Sequence, residues 1–283
     1  MQWFQEYSFF KKFTQGFKVK KVLHSEQSTF QKIDVLETES VGKLLLLDGK
    51  CMVSEIDEFV YHEAIAHIPA MVKRNIKNVL IIGGGDGGVV REFVKYPEIK
   101  NIELVEIDER VIKVSEIYFP ECTSGLKDPR VKILPQDGIA YVKNTQTKYD
   151  IIVVDSTDPE DFAEGLFTAE FYKDIFNALT DDGIMVNQTE NPFLDQYDIN
   201  KIYQNMRRSF PHVSSFYAPM IIYPGVFWTF GFCSKKYSAT DFDAQKISFM
   251  NNLERNLKWY NMNWHQGAFK LSNFHLKKIG LKS

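Results

Sequence analysis

Three aspartates are the residues of this chain best suited to chemistry. Asp155 and Asp158 follow the apolar run 151–154, and Asp86 lies inside a glycine-rich loop at 83–88. Like charges brought close together are unfavourable unless a cation lies between them. One aspartate could simply cap a turn, but the three together favour an acidic pocket for a cationic, amine-bearing ligand.

The glycine-rich loop follows a short run of branched apolar residues at 79–82, which is typical of a strand buried on both faces. Gly83, Gly85 and Gly88 fit the G-x-G-x-x-G pattern between a strand and a helix. Dehydrogenases and adenosyl-group enzymes share this pattern, so it predicts a nucleotide site without choosing between them. The carboxylate of Asp86 would repel an anionic pyrophosphate and therefore favours a ligand with a positive charge.

Polar residues also follow the other predicted strands, at the edge where ligands bind in doubly wound sheets. Glu106 lies about 20 residues beyond the loop, where an acid typically binds ribose hydroxyls. Asp137, followed by Gly138, could accept a hydrogen bond from an adenine amine or cap the next helix, and both interpretations stay open. Gln188 ends the fifth of these strands, and Glu190 follows it.

Helical and strand-like segments alternate after residue 57, which predicts a parallel sheet covered by helices on both faces. The predicted strands are 79–83, 102–106, 131–134, 150–154 and 183–188, and the predicted helices are about 88–96, 109–118, 138–144, 169–179 and 197–209. Two more strands, 212–218 and 227–233, have a connection too short for a parallel crossover, so we expect an antiparallel hairpin at one edge. The predicted fold class is α/β, a doubly wound seven-stranded sheet.

The N-terminal residues 1–56 predict a small antiparallel β domain. Its strand-like runs are 17–24, 29–38, 43–47 and 51–54. Asp48-Gly49, between the last two runs, is a strong signal for a hairpin turn.

A larger second domain is predicted for residues 57–283. It begins with a helix for which Asp57 is the expected N-cap and Pro69 the expected end. Beyond residue 242 the chain is expected to be helical at first.

Composition excludes several classes of function. The 283 residues carry a formal net charge of −3 without a basic run, which argues against nucleic-acid binding. No run approaches the ~20 apolar residues of a membrane span, and the N-terminus does not have the pattern of a signal peptide.

The cysteines and histidines predict no metal site. Cys51, Cys122 and Cys233 are far apart, so buried thiols in a reducing compartment are expected, and with them a cytoplasmic location. His62 and His67 are five residues apart, a poor spacing for sharing a metal on one helix face.

Five segments together closely resemble the polyamine aminopropyltransferases, the family of the spermidine synthases. They are L-D-G at 47–49, D-E-F-V-Y-H-E at 57–63, G-G-G-D-G-G at 83–88, D-S-T-D-P at 155–159 and Y-P at 223–224. The resemblance implies a Rossmann-like, methyltransferase-type domain that carries the N-terminal β domain, in a homodimer or homotetramer. It also implies transfer of the aminopropyl group of decarboxylated S-adenosylmethionine, a co-substrate, to putrescine, giving spermidine and 5′-methylthioadenosine without a separate cofactor.

The resemblance implies roles for residues throughout the predicted site. Asp155 would be the proton acceptor. The amine would be bound by Tyr61, His62, Asp86, Ser156, Thr157, Asp158, Gln188 and Tyr223. The methylthioadenosine part of the donor would be bound by Gln31, Gly83, Gly85, Glu106, Asp137, Gly138 and Phe162.

Two departures from the family pattern lie near the site. Asp161 and Phe162 stand where the family usually has Gly-Pro in a gating loop, and Ile221 and Ile222 stand where it often has Pro-Thr. We expect Phe162 either to narrow the entrance or to be a lone exposed aromatic.

Other functions stay open on the sequence alone. An aminopropyltransferase with a different acceptor, such as agmatine, cadaverine or spermidine, is the nearest alternative. An N-methyltransferase and a non-catalytic nucleoside-binding regulator are more remote ones. Asp86, Asp155 and Asp158 argue against the regulator, since binding alone needs no proton acceptor.

Overall fold

A computed structural model describes residues 2–8, 11–194 and 197–281, apart from the side chains of Asp161 and Phe162. In this part of the chain no helix is long and apolar enough to cross a bilayer. The cytoplasmic location and the domain boundary between residues 56 and 57 stay predictions.

The N-terminal segment forms a five-stranded antiparallel sheet in the order β1-β2-β3-β4-β5. Its strands are β1 (Gln2–Ser8), β2 (Phe13–Gln27), β3 (Lys32–Thr38), β4 (Lys43–Leu47) and β5 (Lys50–Ser54). The hairpin turn predicted at Asp48-Gly49 is present, and both residues have positive φ angles, of 47° and 75°. The prediction missed β1, and it began the third strand three residues too early.

The rest of the chain is organised around a seven-stranded sheet, as predicted. Its strands are β6 (Asn78–Gly83), β7 (Asn101–Glu106), β8 (Val131–Pro135), β9 (Tyr149–Asp155), β10 (Leu179–Gln188), β11 (His212–Pro219) and β12 (Phe227–Ser234). The order is β11-β12-β10-β9-β6-β7-β8. β6 to β10 are parallel, and β11 and β12 form the expected antiparallel hairpin at one edge.

Helices cover both faces of this sheet. They are α1 (Glu58–Val72), α2 (Gly88–Phe93), α3 (Glu109–Tyr118), α4 (Gly138–Asn144), α5 (Ala169–Ala178), α6 (Ile199–Arg207), α7 (Ile247–Leu253), α8 (Met262–Ala268) and α9 (Asn273–Lys278). Alternate residues of β9 enter different cores: Ile151 and Val153 pack with α1 and α2, while Ile152 and Val154 pack with α4 to α6. The apolar run of β9 is therefore explained by burial on two faces.

The helix α1 differs from its prediction at both ends. Pro69 lies inside the helix, which continues to Val72. Every residue of α1 except Phe59 is buried, so packing outweighs the hydrogen bond that proline removes. At the other end Asp57 occupies the N-cap position without capping the helix.

Asp57 instead joins distant parts of the chain. Its carboxylate accepts hydrogen bonds from Ser54 Oγ (2.5 Å) and from the N–H groups of Ile221 (2.6 Å) and Ile222 (3.3 Å). It therefore fixes the loop after β11 against the end of β5, which positions Tyr223.

Gly83 at the end of β6 and Gly49 in the β4–β5 turn differ in their surroundings, so we expect their substitution by alanine to have unequal effects on stability. Gly83 has φ +79°, and a Cβ there would lie 2.0 Å from the carbonyl oxygen of Asp155; Gly49 has φ +75° with nothing within 4 Å of its Cβ position. We expect Gly49→Ala to cost about 1–2 kcal/mol for the left-handed backbone alone. Gly83→Ala adds a steric overlap and should cost about 2–5 kcal/mol.

Urea unfolding of both variants measures this difference. Equal losses of unfolding free energy would mean that β6 and β9 separate easily at their carboxyl ends, which would contradict the close approach of Gly83 to Asp155.

Candidate active site

A cavity lies over the carboxyl ends of β6, β7 and β9, and the β4–β5 hairpin closes one side of it. Gly83 and Asp155 are register partners in β6 and β9, and the N–H of Gly84 donates to the carbonyl oxygen of Asp155 (2.8 Å). The parallel register therefore brings the glycine loop and the first aspartate side by side.

Every predicted site residue except Phe162 lines this cavity. These residues are Gln31, Tyr61, His62, Gly83, Gly85, Asp86, Glu106, Asp137, Gly138, Asp155, Ser156, Thr157, Asp158, Gln188 and Tyr223. The side chain of Phe162 lies outside the described part of the chain, so its expected role stays a prediction. The individual roles of the other residues also stay predictions.

Asp155 lies at the centre of the cavity. Its Oδ1 accepts a hydrogen bond from the Tyr61 hydroxyl (2.7 Å), and its buried Oδ2 has no hydrogen-bond partner among the described residues. Burial and the nearby Asp86 carboxylate raise the pKa of Asp155 to about 7. Asp155 can therefore hold or release a proton near neutral pH.

Asp86 is kept ionised by a buried histidine. His62 lies between two carboxylates, with Nε2 3.0 Å from Asp86 Oδ1 and Nδ1 2.6 Å from Glu58 Oε2. Burial opposes the charge of His62, but Asp86 and Glu58 raise its pKa to about 10. In return, despite burial, the imidazolium and the Gly88 N–H lower the pKa of Asp86.

A buried network continues from Glu58 to the far side of α1 and α2. Arg91 donates to both oxygens of Glu58 (2.9 Å each) and to Glu92 (2.7 Å). Glu92 contacts His67 Nε2 (2.8 Å), whose Nδ1 lies 2.8 Å from the Tyr96 hydroxyl. This network holds the charges below the pocket in one arrangement, because each buried charge has an opposite partner.

Three polar residues form the end of the cavity at which the glycine-rich pattern predicts a nucleotide. Glu106 accepts from the Asp108 N–H (2.9 Å), and burial raises its pKa to about 7. Gln31 is buried and donates to Asp108 (3.1 Å). Asp137 caps α4 by accepting from the Ile139 N–H (2.8 Å) and also lines the cavity, so its two proposed roles are compatible.

The opposite end of the cavity contains Asp158 and a lysine. Lys50 Nζ lies 3.2 Å from Asp158 Oδ2 and 3.2 Å from Glu160 Oε2. Glu190 is buried beside Asp158, and burial and that carboxylate raise the pKa of Glu190 well above its usual range. Burial thus favours the protonated form of Glu190, whereas the carboxylates of Asp158 and Glu160 contact the ammonium of Lys50.

Aromatic rings form part of the cavity wall. The rings of Tyr61 and Tyr223 meet edge to face with centroids 6.0 Å apart, and Tyr223 lies 4.6 Å from Trp228. The Tyr223 hydroxyl donates to the Met52 carbonyl (3.0 Å). These rings give the alkyl part of an amine an apolar surface to pack against.

Sequence reasoning missed Lys50, Glu58 and Trp228 as lining residues. Glu58 and His62 are four residues apart on a predicted helix, so their pairing was visible in the local spacing. Lys50 meets Asp158 across 108 positions of sequence, and no local signal indicates such a contact.

The cluster at the centre of the cavity suits an organic cation better than a metal ion. Ligand atoms of His62, Asp86 and Asp155 lie within 4.8 Å of one another. However, both ring nitrogens of His62 contact carboxylates, and an imidazolium has no lone pair to offer a metal. An ammonium or sulfonium needs only the carboxylates.

Comparisons with known proteins agree with this arrangement. Residues 58–244 match the family described as spermine/spermidine synthase domain, and residues 2–55 match the spermidine synthase tetramerisation domain. A polyamine aminopropyltransferase of Alkaliphilus metalliredigens is 48% identical over 266 residues, 93% of each chain. Another, from Clostridium perfringens, is 44% identical over 259 residues, 91% of this chain and 90% of the relative.

Two solved structures are similar over nearly the whole chain. A spermidine synthase in complex with the transition state analogue AdoDATO has a TM-score of 0.94 at 37% identity and covers 99% of this chain and 95% of its own. The spermidine synthase from Thermotoga maritima has a TM-score of 0.93 at 37% identity, with 99% and 94% covered.

The buried network predicts a large loss of stability for Glu58→Gln. His62 and Arg91 lower the pKa of Glu58 to about 2 against burial, and both would lose a charged partner. We expect a loss of about 3–5 kcal/mol of unfolding free energy at pH 7. Glu55→Gln is the matched control, since its half-exposed pair with Lys43 should contribute about 1 kcal/mol or less.

Urea unfolding at several pH values tests the cause. The Glu58 contribution should be complete above pH 4.5 and disappear as the pH falls through about 2, because only the carboxylate is stabilised. Similar losses in the two variants would contradict a special role for the network.

Proposed function

This chain belongs to the spermine/spermidine synthase family, and we propose that it transfers the aminopropyl group of decarboxylated S-adenosylmethionine to putrescine. The products are spermidine and 5′-methylthioadenosine. One observation supports this most: Asp155, whose Oδ2 has no hydrogen-bond partner among the described residues, lines a cavity in which His62 keeps the neighbouring Asp86 ionised. Such a site binds cations and can accept a proton.

The donor is expected to span the two ends of the cavity. Its nucleoside lies against Glu106, Asp137 and Gln31, where hydroxyl and amine groups find acceptors. Its aminopropyl ammonium then lies near Asp86, whose ionised carboxylate attracts it. This orientation leaves the sulfonium and the adjacent methylene close to Asp155.

The reaction is a displacement by an amine at that methylene. The nitrogen lone pair forms a C–N bond while the C–S bond breaks and its electrons neutralise the sulfonium. A sulfonium is a good leaving group, so positioning of the two reactants should supply most of the acceleration. The attacking amine must lose a proton, because a free alkyl amine has a pKa near that of lysine, about 10.4.

Asp155 is better suited than Asp158 to take this proton. Its pKa of about 7 is suited to a base that works at neutral pH, and its Oδ2 has no hydrogen-bond partner among the described residues. Asp158 is already paired with the ammonium of Lys50 at 3.2 Å. Tyr61 holds the Asp155 carboxylate in position through Oδ1.

The other partners follow from the same proposal. The donor is a co-substrate, and this displacement needs no separate cofactor. The N-terminal sheet would join copies of the chain into a homodimer or homotetramer, as the match of residues 2–55 to a tetramerisation domain suggests.

Product analysis with putrescine and the decarboxylated donor tests the function. We expect equal amounts of spermidine and 5′-methylthioadenosine from the wild type. Asp155→Asn should reduce turnover about 10²–10⁴-fold while still binding 5′-methylthioadenosine in calorimetry. Methyl transfer from S-adenosylmethionine, or nucleoside binding without turnover, would contradict the proposal; near-normal turnover of Asp155→Asn would contradict only its role.

The pH profile of kcat/KM tests the role of Asp155 as a base. A base acts when ionised, so kcat/KM should rise as the pH increases through about 7. The hydrogen bond from Tyr61 lowers the pKa of Asp155, so Tyr61→Phe should move this inflection to higher pH. Deprotonation of putrescine contributes the same slope to the profiles of the wild type and of Tyr61→Phe. If the two proteins have the same inflection pH, the ionising group is not Asp155.

A further inference from the structure

Lys50 places a fixed ammonium inside the proposed amine site. It is the first residue of β5, directly after the Asp48-Gly49 turn, and its side chain lines the cavity with only 22% exposed. Burial disfavours its charge, but Asp158 and Glu160 raise its pKa overall. Lys50 is therefore positively charged at every pH at which the reaction is expected to run.

The contacts of Lys50 are those expected for one end of a polyamine. Nζ lies 3.2 Å from Asp158 Oδ2, 3.2 Å from Glu160 Oε2 and 3.4 Å from the Tyr197 hydroxyl. Tyr197 also donates to Glu160. Two carboxylates and a hydroxyl around a primary ammonium form a site of the kind that a substrate ammonium would otherwise occupy.

The position of this ammonium limits the length of the acceptor. The nitrogen that reacts must lie near Asp155, and the far ammonium of a diamine can use the second oxygen of Asp158. A triamine extends further in the same direction, where its third positive charge would meet Lys50. Like charges in a partly buried site repel strongly, which is an effective means of rejecting one ligand in favour of another.

On the basis of the proposed aminopropyl transfer, we propose that Lys50 determines acceptor specificity: its ammonium occupies the subsite for the third nitrogen of a polyamine, so the enzyme uses putrescine and rejects spermidine. The carboxylates of Asp158 and Glu160 would bind that nitrogen if Lys50 were absent. Lys50 belongs to the β4–β5 hairpin and lies outside the group of residues that carries out proton transfer.

Steady-state kinetics with both acceptors tests the inference. The quantity measured is the ratio of kcat/KM for putrescine to kcat/KM for spermidine, with the decarboxylated donor. Lys50→Met keeps most of the length of the side chain and removes its charge, so the ratio should fall about tenfold or more. Lys50→Arg keeps the charge and should keep the ratio of the wild type within about threefold.

Lys43→Met is the matched control. Lys43 belongs to the same hairpin and pairs with Glu55 at 2.8 Å, but it does not line the cavity. Its loss should leave the ratio unchanged. If Lys50→Met does not fold by circular dichroism, Lys50→Gln removes the charge while keeping a hydrogen-bond donor for Asp158, and the same fall in ratio is expected.

The outcomes separate this inference from the function on which it rests. If Lys50 only fixes the loop, its uncharged variants will change both kcat/KM values by the same factor, and the unchanged ratio overturns the inference. If the wild type forms no spermidine from putrescine, the proposed function itself is wrong. A wild type that uses both acceptors equally overturns the inference alone.

Discussion

The ion pairs of His62 are the constraint on which the rest of the site depends. A buried imidazolium between Glu58 and Asp86 joins the first turn of α1 to the glycine loop. Both contacts require His62 to be charged, and its pKa of about 10 keeps it so. Because the imidazolium maintains the negative charge of Asp86, that carboxylate in turn makes ionisation of Asp155 less favourable.

Backbone geometry makes these contacts possible. A Cβ on Gly88 would lie 2.2 Å from the His62 ring, so only glycine lets the start of α2 approach α1 this closely. The glycine loop thus has two uses here: it leaves room for a ligand above β6, and it admits the imidazole that fixes Asp86. Nucleotide binding, the usual explanation of the G-x-G-x-x-G pattern, accounts only for the first of these two uses.

The sequence was sufficient for most of the fold because its signals are local. Periodicity located the parallel strands, and the Asp48-Gly49 turn located the β4–β5 hairpin. Pro69 misled the prediction, since burial of nearly all of α1 outweighs the intrinsic preference of one residue. Most predicted site residues were found because they lie at or just after the end of a predicted strand. The pairing of Lys50 with Asp158 depends instead on how the two sheets pack together, and no local sequence pattern indicates that contact.

The acids of the cavity differ in protonation, and this difference suits a site that receives cations. If every acid were ionised, the empty cavity would contain mutually repelling charges. Instead Asp86 is ionised beside His62, while Asp155 and Glu106 have pKa values of about 7 and hold protons part of the time. A sulfonium placed next to Asp155 stabilises its carboxylate and lowers its pKa, so the proton leaves as the donor binds. The base is thereby ionised in the complex in which it is needed, and its partial protonation in the empty cavity limits the repulsion from Asp86.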